Sequence, residues 1–288
     1  LRDLLELTLE GARGALRLRV EGRSTARGTP KWIAVASDFQ IVGLSQGSAI
    51  VELEARPISD AAPDRFGEED PTVPLDTSRS ALSFFEESFA EALRGKEDAD
   101  LYDRALLGTF TNFSRLFAQG GLERIEFADH NGSVPLRIDV LPDRLNEVEK
   151  LWKKTAPSQR VRVAGRLDTI RHSDRMFTLV LESGEILRGI AEPGSDDLAQ
   201  YFGQVVVVTG KATFRPSGSI LRIEADRLEP ASGNISIWSR APRPLLGELD
   251  RQSLLKPQSP RSGINAIIGH WPGDETEEEI LEALEEIS

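Results

Sequence analysis

The chain has 288 residues, 39% of them hydrophobic and 28% charged, which suits two or three modest globular domains, each large enough for its own core. Thirty-five Lys and Arg against 47 Asp and Glu leave a net charge of −12, which opposes nonspecific phosphate binding by the chain as a whole. Cysteine is absent, excluding disulfides, thiolate catalysis and cysteine metal sites, and no apolar run approaches the roughly 20 residues of a membrane-spanning helix.

Residues 1–58 read as β-rich. Leu5, Leu7 and Leu9 alternate, then Leu16, Leu18 and Val20, then Ala49, Val51, Leu53 and Ala55, the period-2 signature of half-buried strands. A turn-rich stretch from Ser24 to Pro30 interrupts them, and Lys31 to Ser37 reads as one or two helical turns. Gly43 and Gly47 punctuate the approach to the third strand. Pro57 to Thr77, rich in Pro, Asp and Glu, reads as a surface loop or linker.

Two helices follow. The first carries Ala81, Leu82, Phe84, Phe85, Phe89, Ala92 and Leu93 on a wide apolar face and ends at Gly95. The second carries Leu101, Ala105, Leu106, Phe110, Phe113, Leu116 and Phe117 and closes at Gly120 and Gly121. A hairpin is expected over Arg124 to Ala128 and Val134 to Val140 with Asn131-Gly132 at its turn. Pro142 then opens a helix to about Lys154, with Leu145, Val148, Leu151 and Trp152 inward. Together, residues 1–155 read as an α+β N-terminal domain.

Residues 158–232 carry the clearest fold signal. Strands are expected over Arg160 to Ile170, Met176 to Leu181 and Glu185 to Ala191, then a short helix over Ser195 to Phe202, then strands over Gln204 to Phe214 and Ile220 to Leu228. The runs Val161 to Arg166 and Val205 to Lys211 place Gly165 and Gly210 where strands must bend to close a sheet. This segment resembles an OB-fold barrel, a likeness that implies a five-stranded architecture more than an activity. OB barrels bind single-stranded nucleic acid through basic grooves and stacking aromatics, and Arg162, Arg166, Arg175, Lys211 and Arg215 are the residues that such a role would use. Acidic and basic residues balance within the segment, and few aromatics remain for a stacking face, so a structural or protein-binding barrel is the simpler expectation.

Residues 233–263 read as an extended linker. It holds Pro242, Pro244, Pro257 and Pro260, but also Ile235, Ile237, Trp238, Leu245, Leu246, Leu249 and Leu254, so parts of it are expected to lie against the body or a partner. The final stretch, residues 264–288, reads as an acidic docking tail. Trp271-Pro272-Gly273 makes a turn, and Asp274 to Glu286 holds eight carboxylates and no Lys or Arg, while Ile280, Leu281, Leu284 and Ile287 recur at helical spacing. A helix of about three turns is marginal alone in water, so the stripe must be buried against its own body or a partner.

The segment Ile267 to Ile280, with Leu281 and Leu284, resembles the tail of small bacterial antitoxins that accompany PIN-domain ribonuclease toxins: a hydrophobic pair, Gly, aromatic-Pro-Gly-Asp-Glu-Thr, then an acidic helix. The likeness spans a small part of the chain and implies a partner-binding role. In that picture Ile264, Ile267, Ile268, Trp271 and Pro272 anchor in an apolar groove and Ile280, Leu281, Leu284 and Ile287 lay a helix in it. A PIN nuclease holds its metal with carboxylates, so Arg251, Lys256 or Arg261 becomes the natural plug for the partner's active site. The other reading is a single-strand nucleic-acid-binding protein that uses the barrel, with the acidic tail as autoinhibitor.

No Walker loop, dinucleotide fingerprint, Ser-His-Asp ordering or HExxH motif occurs, and His130, His172 and His270 are far apart, so neither an enzyme, a metal site nor a cofactor is expected. Asp129-His130-Asn131 is the one compact polar cluster, and the hairpin turn accounts for it. The start carries no signal-peptide pattern, and a cytoplasmic bacterial interaction protein is the expectation.

Overall fold

The computed structural model describes residues 1–244 except 46–49, 67–74, 119–121, 130–136, 172–174, 192–197 and 233–234. The tail 264–288, most of the linker and the Asn131-Gly132 turn therefore lie outside the described residues, as do all three histidines.

The first departure from the sequence reading is at the start. Arg2–Glu21 is one helix, α1, and the Leu5-Leu7-Leu9 and Leu16-Leu18-Val20 alternations are not strands. Thr8, Gly11, Ala12, Ala15 and Leu16 recur every three to four residues and make the buried face, while good helix formers (Leu, Glu, Ala, Arg) fill the rest. Gly11 lets α1 approach its neighbour closely: a Cβ there would stand 2.6 Å from the Phe85 ring. After α2 (Lys31–Ala36), β1 (Phe39–Ser45) and β2 (Ile50–Ala55) pair antiparallel with a bulge at Ile41/Gly43. The expected loop holds two short helices, α3 (Ile58–Ala61) and α4 (Pro63–Phe66).

Helix α5 (Ala81–Leu93) starts where Ser80 Oγ accepts from Ser83 N at 3.2 Å. The single helix expected over 101–117 is two, α6 (Arg104–Thr111) and α7 (Ser114–Ala118). Asp103 caps α6, and bonds of the i to i−3 type from Asn112 and Phe113 tighten and end it. The hairpin β3 (Ile125–Ala128) and β4 (Arg137–Val140) and helix α8 (Pro142–Lys154) complete the mixed α+β region. Its core is aromatic: Phe85, Phe89, Phe110 and Phe113 are fully buried and pack on one another and on Phe127.

A second core is the inside of a closed five-stranded barrel, compatible with an OB-like barrel. Its strands are β5 (Gln159–Arg171), β6 (Met176–Val180), β7 (Ile186–Ala191), β8 (Val205–Phe214) and β9 (Ile220–Pro230), in the order β5-β6-β7-β9-β8. β7 and β9 are parallel and the other pairs antiparallel. A short 3-10 helix, Leu198–Tyr201, sends Leu198 into the barrel core. Arg166 on β5 pairs with both Val205 and Val180, so the strand changes partner just after Gly165. Gly210 faces the bulge of β9 at Asp226, where a Cβ would lie 2.1 Å from the Glu224 carbonyl oxygen. No described helix is long and apolar enough to cross a membrane.

Candidate interaction surfaces

The loop between α5 and α6 bears Glu97, Asp98, Asp100 and Asp103, and it lies on the barrel. Asp103 does three things at once: Oδ1 accepts from Leu106 N at 3.0 Å and caps α6, both oxygens accept from Ser24 (N at 3.0 Å, Oγ at 2.5 Å), and Oδ2 meets Arg222 of β9 at 3.4 Å. Both partners are buried, Asp103 4% and Arg222 5% exposed. Glu224 adds a second carboxylate 3.6 Å from Arg222 and reaches Arg23 at 3.9 Å. Burial lowers the Arg222 pKa and the two carboxylates oppose that, so the network holds the guanidinium charged in a place where it could not stand alone.

Around this buried centre runs a half-exposed ring of the same sign pattern. Asp100 meets Arg188 of β7 at 2.9 Å and Arg215 at 2.5 Å. Arg215 also donates to Ser219 Oγ and the Ile220 carbonyl, which fixes the β8–β9 turn. Asp98 accepts from Ser219 Oγ at 3.2 Å, and its pKa is lowered chiefly by the Ser217 hydroxyl. Ser217 N donates to the Glu97 carbonyl at 3.3 Å. Gly22, the left-handed cap of α1 (φ 67), packs so closely on Ile190 of β7 that a Cβ would come 2.6 Å from its Cδ1. In OB barrels the second and third strands and the loops after the first and fourth strands form the single-strand groove. Here outward residues of the third strand and the turn after the fourth are bound by the chain's own acidic loop. An open depression of about 600 Å³ beside it is lined by Glu87, Glu91, Lys96, Glu97, Asp98 and Asp100, a setting that repels phosphate.

The other barrel face is a balanced array. Arg160 meets Asp226 at 2.7 Å, Arg162 meets Glu229 at 3.9 Å and Arg166 meets Asp168 at 3.8 Å. The start of the linker lies on it. Trp238 O accepts from Ala164 N at 2.7 Å, the Arg162 guanidinium stands 4.1 Å from the Trp238 ring centroid, Ala241 packs on the barrel core, and Pro244 approaches Gly218. Pro242 and Pro244 have no N–H, so this strap covers the free part of β5 without extending the sheet.

The five barrel residues named for nucleic acid do not converge. Arg162 stacks on Trp238, Arg166 pairs within its own strand, and Lys211 is exposed in the middle of β8. Arg175 (φ 58) and Arg215 belong to turns at opposite ends of β5, and Arg215 is consumed by Asp100. The tail anchors Ile264, Ile267, Ile268, Trp271, Pro272, Ile280, Leu281, Leu284 and Ile287, and the plug candidates Arg251, Lys256 and Arg261, lie outside the described residues.

Sequence reasoning missed Asp100, Asp103, Arg188 and Arg222. A trace was available: Asp103 stands three residues before Leu106, the spacing of an N-cap, inside an acidic run that otherwise reads as a solvated loop. Among the described residues no group of His, Asp and Glu is placed to hold a metal ion. The chain matches no protein-family model, no curated protein and no solved structure.

Proposed function

We propose that this is an interaction protein that works by holding a protein partner through its C-terminal segment. The partner in this reading is a PIN-type ribonuclease toxin, which the segment inhibits as an antitoxin would. Ile264, Ile267, Ile268, Trp271 and Pro272 serve as anchors, Ile280, Leu281, Leu284 and Ile287 as the apolar face of a docked helix, and Arg251, Lys256 or Arg261 as the plug.

The observation that favours the protein-binding class over the nucleic-acid one is the seam between the acidic loop and the barrel. It engages Arg188 and Arg215 on the barrel's third strand and fourth-to-fifth turn, which argues against the alternative of a single-strand nucleic-acid-binding protein autoinhibited by its tail. The identity of the partner rests on the sequence of the tail alone. The test is a capture from native lysate with the full chain and with a chain ending at Gly263, followed by ribonuclease assay of the bound fraction. A nuclease retained only by the full chain, silent in the complex and active once released, is the expected result. Equal capture by both chains would overturn the reading.

A further inference from the structure

The ribbon β1–β2 stands apart from the barrel chemistry. Its strands pair with each other and with no other described strand. The pairs Phe39↔Ala55, Ile41↔Leu53 and Leu44↔Val51 put six apolar side chains on one face. That face is incompletely covered: Ile41 is 47% and Leu44 69% exposed. The opposite face carries Gln40, Glu52 and Glu54, with Ser45 and the exposed Ile50 at its far end. Both glutamates are exposed, and neither forms an ion pair with a described residue, although most other acidic side chains on the barrel and the α5–α6 loop do. A ribbon of two strands with a partly uncovered apolar face is marginal in water and gains from a third strand.

The two edges differ. The bulge at Ile41/Gly43 breaks the regular spacing of β1, whereas β2 runs without irregularity from Ile50 to Ala55. We propose that the outer edge of β2 accepts an extended segment of a partner protein in which Lys or Arg alternates with apolar residues. The basic side chains meet Glu52 and Glu54, and the apolar ones extend the face of Ile41, Leu44, Val51 and Leu53. A second copy of this chain fits poorly, because two β2 strands paired antiparallel bring their glutamates opposite one another. This proposal uses the residues of β1 and β2 rather than those of the C-terminal segment and does not rest on the proposed function.

The alternation fixes parity, since a shift by one residue would turn the lysines onto the apolar face. The probe is a short fluorescein-labelled peptide of alternating Val and Lys, titrated into the full chain and read by anisotropy. Three companions are an alternating Val and Glu peptide and two Val-Lys peptides, one N-methylated at every Val and one at every Lys. The Val-Lys peptide should bind, and the Val-Glu peptide on the order of ten-fold more weakly. One N-methylated peptide should lose binding and the other keep it, because only alternate N–H groups face the edge.

Glu52→Lys with Glu54→Lys should reverse the preference between Lys and Glu peptides, and Glu52→Gln with Glu54→Gln should remove it. Absence of binding, indifference to both methylation patterns, or an unchanged preference in the variants would each overturn the proposal. So would sedimentation showing a dimer of the unaltered chain that the charge-reversed variant dissolves.

Discussion

Asp103→Ala is the most telling perturbation of the body. It removes the cap of α6, worth about 1 kcal/mol. It also takes one of two carboxylates from a guanidinium that is 5% exposed. Breaking a buried ion pair by deleting one partner costs about 3–5 kcal/mol, and Glu224, still 3.6 Å from Arg222, offsets part of that. The sum is a loss of roughly 3–4 kcal/mol. Asp103→Asn keeps a good cap and its bond to Leu106, so it should lose roughly 2 kcal/mol, all from the charge. The assay is urea unfolding followed by tryptophan fluorescence, in a cycle with Arg222→Met. With both charges gone the apolar replacement is tolerated, so the double variant Asp103→Ala, Arg222→Met should be at least about 1 kcal/mol more stable than the sum of its singles requires. Additive effects, or a loss below about 1 kcal/mol for Asp103→Ala, would refute the claim that these residues join the helices to the barrel.

The Glu86 carboxyl, half-buried and near Asp129, is pushed up to about 7, chiefly by desolvation and despite Arg79. Its protonated form is favoured in the folded state, so folding bears no penalty below the ordinary range and a growing one as pH rises from about 4.5 to about 7. Glu86→Gln should therefore raise stability at pH 8 by roughly 2 kcal/mol and leave it unchanged at pH 4, as thermal melts at the two values would read. Gly11→Ala gains about 1 kcal/mol of helix propensity but drives a methyl into the Phe85 ring, and a net loss of about 1 kcal/mol in chemical denaturation is expected. Trp238→Ala removes the ring beneath Arg162 and the side-chain packing of the strap, so trypsin should cut after Arg240 markedly faster while the barrel stays folded by circular dichroism; the Arg243-Pro244 bond resists trypsin in either chain.

The legible parts of this fold are those where one periodicity excludes the other. The barrel strands alternate over long runs, and Gly165 and Gly210 fall where the sheet changes partner and bulges. α5 and α8 show a wide apolar face with clear ends at Gly95 and Pro142. α1 was ambiguous because leucines at 5, 7 and 9 satisfy a strand, and the helical signal lies in the small residues Gly11, Ala12 and Ala15, which hydropathy weighs little but close packing requires. β1 was hidden by Gly43 at its bulge. The seam was illegible for another reason: Asp103 and Arg222 are 119 residues apart, and nothing local to either distinguishes a buried charge from a solvated one.

The central claim is that the third strand and the fourth-to-fifth turn of the barrel are engaged by the chain's own acidic loop and so do not serve single-stranded nucleic acid. It is tested most directly by titrating labelled single-stranded DNA and RNA oligonucleotides with the full chain at low and at moderate salt. The expected result is no saturable binding tighter than the nonspecific range, a Kd of about 10⁻⁴ M or weaker. Submicromolar binding that weakens steeply with salt would contradict the account and assign the barrel to nucleic acid.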